Sequence, residues 1–167
     1  TRNLSRRKVA QEYECSFNAS GETVVSGDAL EAIFSGCCDP INRTGFDRNY
    51  WIWEEYNSDY TYMLVADVAR GDGKDYSVFH VIKLETMEVV AEYQGMPNLD
   101  MYSQMLYSAG SEYGNCLLVV ENNGIGISIL EKLITLGYPN LYYSIKSTHE
   151  YIDAVQGEAM DRAVAGF

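Results

Sequence analysis

The chain has 167 residues, enough for one domain or for one domain with a sizeable lead-in segment. It is 47% hydrophobic and 22% charged, which is typical of a globular protein that buries a core. Its formal charge of −12 argues against a basic, electrostatically driven nucleic-acid binder and against a polybasic membrane anchor. Because no apolar run approaches the roughly 18 residues of a membrane span, no membrane partner is expected.

The first 58 residues predict a lead-in segment that packs on the main domain. Residues 11–25 have the pattern of two short strands joined by a turn, and residues 27–34 predict a short helix. Residues 42–59 are rich in aromatic side chains and predict an irregular stretch that covers a core. The main domain is therefore predicted to begin at residue 59.

From residue 59 the pattern predicts a mixed α/β domain. Three strands come first and form an antiparallel meander, and they are followed by helix, strand, helix and strand. This order predicts a five-stranded mixed sheet flanked by helices. The predicted strands are 62–66, 76–84, 88–93, 116–120 and 141–145, and the predicted helices are 98–113 and 125–136.

Two carboxylates follow apolar strands directly: Asp67 ends the first strand of the domain, and Glu121 ends the fourth. Open α/β sheets bind ligands at the carboxyl ends of their strands. If the two strands are neighbours, the carboxylates converge and need a shared proton or a cation. Mg²⁺ prefers such oxygen ligands, and a pair of ions can catalyse phosphodiester hydrolysis. The alternative is that both acids only begin exposed loops.

The loop after Asp67 contains two further acids, Asp72 and Asp75. They are either the polar tip of a hairpin, where Asp and Gly favour the turn, or a source of one more ligand near Asp67. The loop does not match the phosphate-binding pattern GxxxxGK[ST]. The four cysteines and two histidines have no zinc-binding spacing.

Two motifs resemble a known family. Residues 64–77, with the sequence LVADVARGDGKDYS, are similar to the first nuclease motif of the large terminase subunit of tailed bacteriophages. Residues 118–126, LVVENNGIG, are similar to that family's motif of strand, Glu-Asn-x-x-Gly and helix. Residues 11–17 and 21–24 resemble the segment that joins the packaging ATPase to the nuclease. The resemblance thus covers most of the chain.

The resemblance implies an RNase H-like fold with a two-metal DNA endonuclease, which cuts concatemeric viral DNA in the cytoplasm of the infected bacterium. It implies that Asp67 and Glu121 bind Mg²⁺ or Mn²⁺ and that Asp75 is a supporting acid of the same cluster. The implied partners are double-stranded DNA, the ATPase domain of the same polypeptide, the portal protein and the small terminase subunit.

The chain departs from this family near its C-terminus. The family carries a third acid there, usually in an Asp-Asp pair that opens a last helix, and no such motif occurs before Phe167. Asp153, Glu158 and Asp161 lie in that direction but match nothing that can be transferred. Because the ATPase half is also absent, the expectation is a fragment whose catalytic site lacks its third acid.

Two other functions remain open from the residues. The sugar-kinase and actin-like ATPase fold also begins with an acid that ends the first strand, a Gly-containing loop and a strand meander. That fold repeats the meander in a second domain, and this chain contains no second copy of it. A non-catalytic module that docks on a packaging motor through the aromatic residues 50–56 is the other alternative.

Overall fold

The computed structural model describes residues 25–45, 47–70, 75–122, 124–145 and 163–166. The chain divides into two compact units, Thr1–Asp39 and Pro40–Phe167. The described part of the first unit holds helix α1 (Gly27–Gly36), where a helix is predicted. The Ser26 hydroxyl caps this helix by accepting a hydrogen bond from the Ala29 amide at 3.3 Å. The strands predicted within residues 11–24 lie outside the described residues.

The described part of the second unit contains a mixed sheet and two helices. The described strands of this unit are β1 (Asn42–Thr44), β2 (Tyr50–Ile52), β3 (Tyr62–Asp67), β4 (Ser77–Lys83), β5 (Glu88–Gly95), β6 (Leu117–Val120), β7 (Tyr143–Ile145) and β8 (Ala163–Ala165). The first six form one sheet in the order β1-β2-β5-β4-β3-β6, which is antiparallel throughout except for the parallel pair β3 and β6. The helices are α2 (Leu99–Glu112) and α3 (Gly126–Leu136).

The predicted meander is confirmed as β3, β4 and β5, and both predicted helices of the domain are found. The prediction that residues 42–59 are irregular is wrong for their first half, which forms the hairpin β1–β2 at the edge of the sheet. Strands of three residues are too short to show an alternating pattern, so only their pairing, β1 with β2 and β2 with β5, reveals them. The sheet thus begins before residue 59, and the joining role of the first 58 residues stays a prediction.

The predicted fifth strand of the sheet takes a different place. Leu141 makes a single parallel bridge to Leu118, and β7 then pairs with β8 in a separate two-stranded ladder. The sequence analysis did not predict β8. Its partner is chosen by tertiary contacts, because a strand of three residues carries too little pattern to define one.

The core lies on one face of the six-stranded sheet, under α2 and α3. Tyr102 and Leu106 of α2 and Ile129 and Leu133 of α3 are fully buried there. Both helices thus turn one apolar stripe toward the sheet, as their spacing predicts. The strand residues beneath them are Leu64, Ala66, Phe79, Val81, Leu118 and Val120. None of the described helices is long and apolar enough to cross a membrane.

Candidate metal centre

Asp67 and Glu121 leave the sheet at the same edge. Asp67 is the last residue of β3, and Glu121 directly follows β6. The two strands are parallel neighbours, and the last pair in their register is Ala66 opposite Val120. Neighbouring strands lie about 4.8 Å apart, so the residues after this pair emerge side by side. The strands β3 and β6 are therefore neighbours, as the predicted convergence of the two carboxylates requires.

Asp67 points to the face of the sheet opposite the helices. Ala66 is 2% exposed beneath the helices, and Asp67 follows it within β3, so the side chain of Asp67 points to the other face and is exposed. Val120 is 0% exposed, and Glu121, which directly follows it, is partly exposed. The alternation of β6, continued by one residue, predicts Glu121 on the same face as Asp67. The amide of the next residue, Asn122, donates to the Ala165 carbonyl at 2.8 Å.

The backbone around Asp67 is held by two buried side chains. The hydroxyl of Tyr102 lies 3.0 Å from the carbonyl oxygen of Asp67 and 2.7 Å from that of Val78, the residue paired with Asp67 on β4. Two residues after Asp67, the amide of Ala69 donates to the hydroxyl of Ser77 at 3.0 Å. Tyr102 and Ser77 are 0% and 1% exposed. The end of β3 is thus fixed from inside the core.

The Tyr102 hydroxyl is a neutral donor. Burial in the core raises the pKa of Tyr102 well above its ordinary value, because a tyrosinate would lose its hydration there. The negative charge of Asp67 raises this pKa further. The hydroxyl therefore keeps the proton with which it contacts the two carbonyl groups.

The chain next to Glu121 is held by the C-terminal segment. Gly166 has a φ of +84°, a left-handed conformation that glycine adopts without strain. A Cβ on Gly166 would lie 2.5 Å from the carbonyl oxygen of Val120 and 2.8 Å from Cδ1 of Leu130. Only glycine lets the C-terminal segment approach the end of β6 this closely, which brings residues 165 and 166 beside the turn that carries Glu121.

The structure does not bring Asp75 into a cluster with the other two acids. Asp75 is exposed and lies two residues before β4, and its carboxylate accepts a hydrogen bond from the Tyr76 amide at 2.8 Å. Asp72 lies outside the described residues, as do Asp153, Glu158 and Asp161. The supporting role of Asp75 therefore stays a prediction that its present position does not favour.

The donor set fits a hard divalent cation. Two carboxylates with access to solvent are the oxygen ligands that Mg²⁺ and Mn²⁺ prefer, and such ions keep several waters that phosphate oxygens can replace. Over the described residues, His, Cys, Asp and Glu form no group of three or more that could hold a metal ion. The described part of the chain thus offers two candidate ligands, Asp67 and Glu121, and any remaining positions around an ion would be filled by water, substrate or further acids.

Sequence reasoning identified the two acids but missed the residues that position them. Tyr102 has the spacing of an apolar helix face together with Leu99 and Leu106, so it is predicted only as a core residue. The signal that could have found it is the hydroxyl, because a buried tyrosine requires a hydrogen-bond partner. Which carbonyl groups accept that bond depends on how α2 crosses the sheet, and no local pattern contains that information.

Comparison with known proteins agrees with this architecture. No protein-family model matches the chain. Over 140 residues, or 83% of its length, the chain is 29% identical to the large terminase subunit of Thermus virus P23-45. Its match to the large terminase subunit of Thermus phage G20c has the same identity and coverage. The matched region is 27% of each of these proteins, so the chain spans about a quarter of the length of the curated relatives it matches.

Solved structures show the same similarity in three dimensions. The large terminase nuclease of phage G20c with bound magnesium matches at a TM-score of 0.54 and 26% identity, over 66% of this chain and 56% of that one. The nuclease domain of the Thermus phage P74-26 large terminase matches at a TM-score of 0.51 and 25% identity, over 65% and 54% of the two chains. The G20c nuclease with bound cobalt or zinc also matches. The chain is therefore similar in sequence and structure to the nuclease domains of phage large terminase subunits, and it has their RNase H-like fold.

Proposed function

We propose that the chain is the nuclease domain of a viral DNA-packaging terminase and cuts concatemeric phage DNA by metal-dependent phosphodiester hydrolysis. The observation that carries the proposal is the parallel register of β3 and β6, whose last pair, Ala66 and Val120, directly precedes Asp67 and Glu121. The similarity to metal-bound terminase nucleases supports it. The matched region is 27% of each curated relative, and the solved structures that match are terminase nuclease domains, so the proposal concerns that domain alone.

Asp67 and Glu121 are the residues that would hold the metal, and Mg²⁺ or Mn²⁺ is the proposed ion. A bound ion of this kind lowers the pKa of a coordinated water and neutralises charge that develops on the phosphate. The chain's own contribution is to hold two carboxylates at one sheet edge, where their mutual repulsion favours the uptake of a cation. Tyr102 and Ser77 contribute by fixing the backbone at Asp67 and at Ala69, two residues beyond it.

The proposed substrate is double-stranded DNA. The net charge of −12 does not attract a polyanion such as DNA. DNA binding therefore requires metal ions at Asp67 and Glu121 and a basic surface supplied by another part of the packaging motor. The proposed partners are the ATPase domain of the same polypeptide, the portal protein and the small terminase subunit. The proposed location is the cytoplasm of the infected bacterium.

Charge-removing substitutions of the two acids test the proposal. Asp67→Asn and Glu121→Gln keep the size of the side chain and remove one anionic ligand each, so each is expected to abolish plasmid cleavage by the terminase that contains this domain. Asp59→Asn is the matched control, because Asp59 is an exposed acid that precedes β3, at its opposite end from Asp67. Wild-type cleavage by either site variant would contradict the proposal.

Metal binding by the 167-residue chain gives a second test that does not depend on activity. A ligand that binds only the folded state raises its stability by about 2.7 kcal/mol at a hundredfold excess over the dissociation constant. Saturating Mn²⁺ is therefore expected to raise the melting temperature of the wild-type chain and of Asp59→Asn but not of Asp67→Asn. A melting temperature that does not change with saturating Mn²⁺ would instead favour a non-catalytic docking module.

A further inference from the structure

The hydroxyl of Tyr102 lies where β3 and β4 separate. Asp67 and Val78 are the last residues of the two strands that pair, and beyond them the chain leaves the ladder. Tyr102 approaches from α2 and places its hydroxyl 2.7 Å from the Val78 carbonyl oxygen and 3.0 Å from that of Asp67. One hydroxyl thus contacts both strands at the pair that carries the proposed metal ligand.

We propose that Tyr102 is a positioning residue for metal binding: by holding the Asp67 carbonyl to the end of the β3–β4 ladder, its hydroxyl fixes the direction in which the Asp67 carboxylate leaves the sheet. This inference rests on the proposed function of Asp67 as a metal ligand. It assigns no contact between Tyr102 and substrate or metal.

Packing alone does not account for the hydroxyl. The ring of Tyr102 is fully buried and lies 6.2 Å from that of Tyr93 and 6.4 Å from that of Phe79, contacts that a phenylalanine would make equally well. The oxygen adds nothing to this apolar contact. Its partners are two carbonyl groups from different strands, so its contribution is to the relative position of those strands.

Ser77 adds a second restraint two residues beyond Asp67. Its hydroxyl accepts from the Ala69 amide at 3.0 Å, two residues beyond Asp67. Tyr102 therefore restrains the backbone at residue 67, and Ser77 restrains it at residue 69. Residues that orient a metal ligand without touching the metal typically change metal affinity by about 10–100-fold when they are altered. The two hydroxyls have the position that such an effect requires.

The test compares Tyr102→Phe with Tyr113→Phe. Tyr113 directly follows α2, is 3% exposed, and donates its hydroxyl to the Glu54 carbonyl at 2.6 Å. Its ring packs on Tyr62, the first residue of β3, whereas Asp67 is the last. Both substitutions remove one buried hydroxyl from a core ring, and only the first removes it from the Asp67 end. Tyr113→Phe is therefore the matched control for a general loss of stability.

The measurement is Mn²⁺ binding to the full 167-residue chain by titration calorimetry, with the paramagnetic resonance spectrum of bound Mn²⁺ as a second readout. Tyr102→Phe is expected to raise the dissociation constant about 10-fold or more, whereas Tyr113→Phe stays within about twofold of wild type. If Tyr102→Phe does not fold, Ser77→Ala replaces it and is expected to weaken binding in the same direction.

Three results would overturn the inference. An unchanged Mn²⁺ affinity in Tyr102→Phe would show that the hydroxyl does not position the ligand. An equal loss in Tyr113→Phe would show that affinity follows overall stability. If the wild-type chain itself binds no Mn²⁺, the proposed function fails first, and that outcome is distinguished by the wild-type titration alone.

Discussion

Gly110 of α2 is the position where the packing geometry makes the sharpest prediction about stability. It faces the ring of Tyr138, and a Cβ on Gly110 would lie 2.8 Å from Cζ and 2.9 Å from Cε2 of that ring, and nearer still to its hydroxyl. The ring cannot move freely, because its hydroxyl donates to the Cys116 carbonyl at 2.7 Å and its edge packs on Tyr107. Gly110→Ala therefore overpacks the contact between α2 and Tyr138, which follows α3.

Two effects of Gly110→Ala oppose each other. Alanine gains about 1 kcal/mol over glycine within a helix. Overpacking a tight core costs about 1–3 kcal/mol, and displacing the Tyr138 hydroxyl from a buried carbonyl costs about 1–3 kcal/mol more. The costs exceed the gain, so the free energy of unfolding is expected to fall by about 1–5 kcal/mol. For a domain of this size, each kcal/mol lowers the melting temperature by roughly 3 °C.

Urea unfolding of the variant measures this change. Gly36→Ala is the control, because a Cβ at Gly36 would contact nothing within 4 Å, and it is expected to leave stability unchanged or slightly raised. Removing the hydroxyl in Tyr138→Phe takes away the atom nearest to the new methyl group. Gly110→Ala should therefore cost less in that background, as a double-mutant cycle would show. A neutral or stabilising Gly110→Ala would refute the packing argument.

Three further predictions concern charge. Asp67→Asn relieves repulsion between residue 67 and Glu121, which is worth about 0.8 kcal/mol for two charges roughly 5 Å apart in water. With a metal chelator present, the variant should therefore have a higher melting temperature than wild type. A lower melting temperature would contradict this. Burial raises the pKa of Tyr102, so the contribution of its neutral hydroxyl to stability is complete below about pH 10 and is lost as pH rises further. Unfolding measured together with tyrosinate absorbance over this pH range would detect the loss. Hydrogen bonds from the Thr86 hydroxyl and, second, from Lys83 lower the pKa of Glu88 in the folded chain. The contribution of Glu88 to the free energy of unfolding is therefore present above about pH 4.3 and is lost as pH falls through the lower folded pKa. Glu88→Gln should flatten this acid dependence, measured by urea unfolding at several pH values.

The elements and the two acids were predictable because their signals are local. The apolar run before Asp67, the alternation along β4 and the spacing of α2 each extend over several residues, which is enough to distinguish period two from period 3.6. A carboxylate that ends an apolar strand is visible in the sequence itself. The resemblance to terminase nucleases depends on the same two motifs, and the comparisons confirm it.

Short strands and their partners were not predictable. The hairpin β1–β2 and strand β8 have three residues each, too few for a pattern, and they are defined by the strands they pair with. The predicted fifth strand was found at β7, but its partner is β8 and not the main sheet. Pairing between distant segments depends on the free energy of the whole fold, so the sequence near a short strand does not determine it.

Local sequence is enough to identify the two carboxylates that end apolar strands of the domain. The parallel pairing of β3 with β6, in a register that ends with Ala66 opposite Val120 and so brings residues 67 and 121 to the same end of the sheet, arises only when the chain folds. A shift of one residue would have turned one of them to the opposite face, since side chains alternate along a strand. The positions of Tyr102 and Gly166 were decided in the same way, because their contacts join segments that are distant in the chain and meet only when the core has packed.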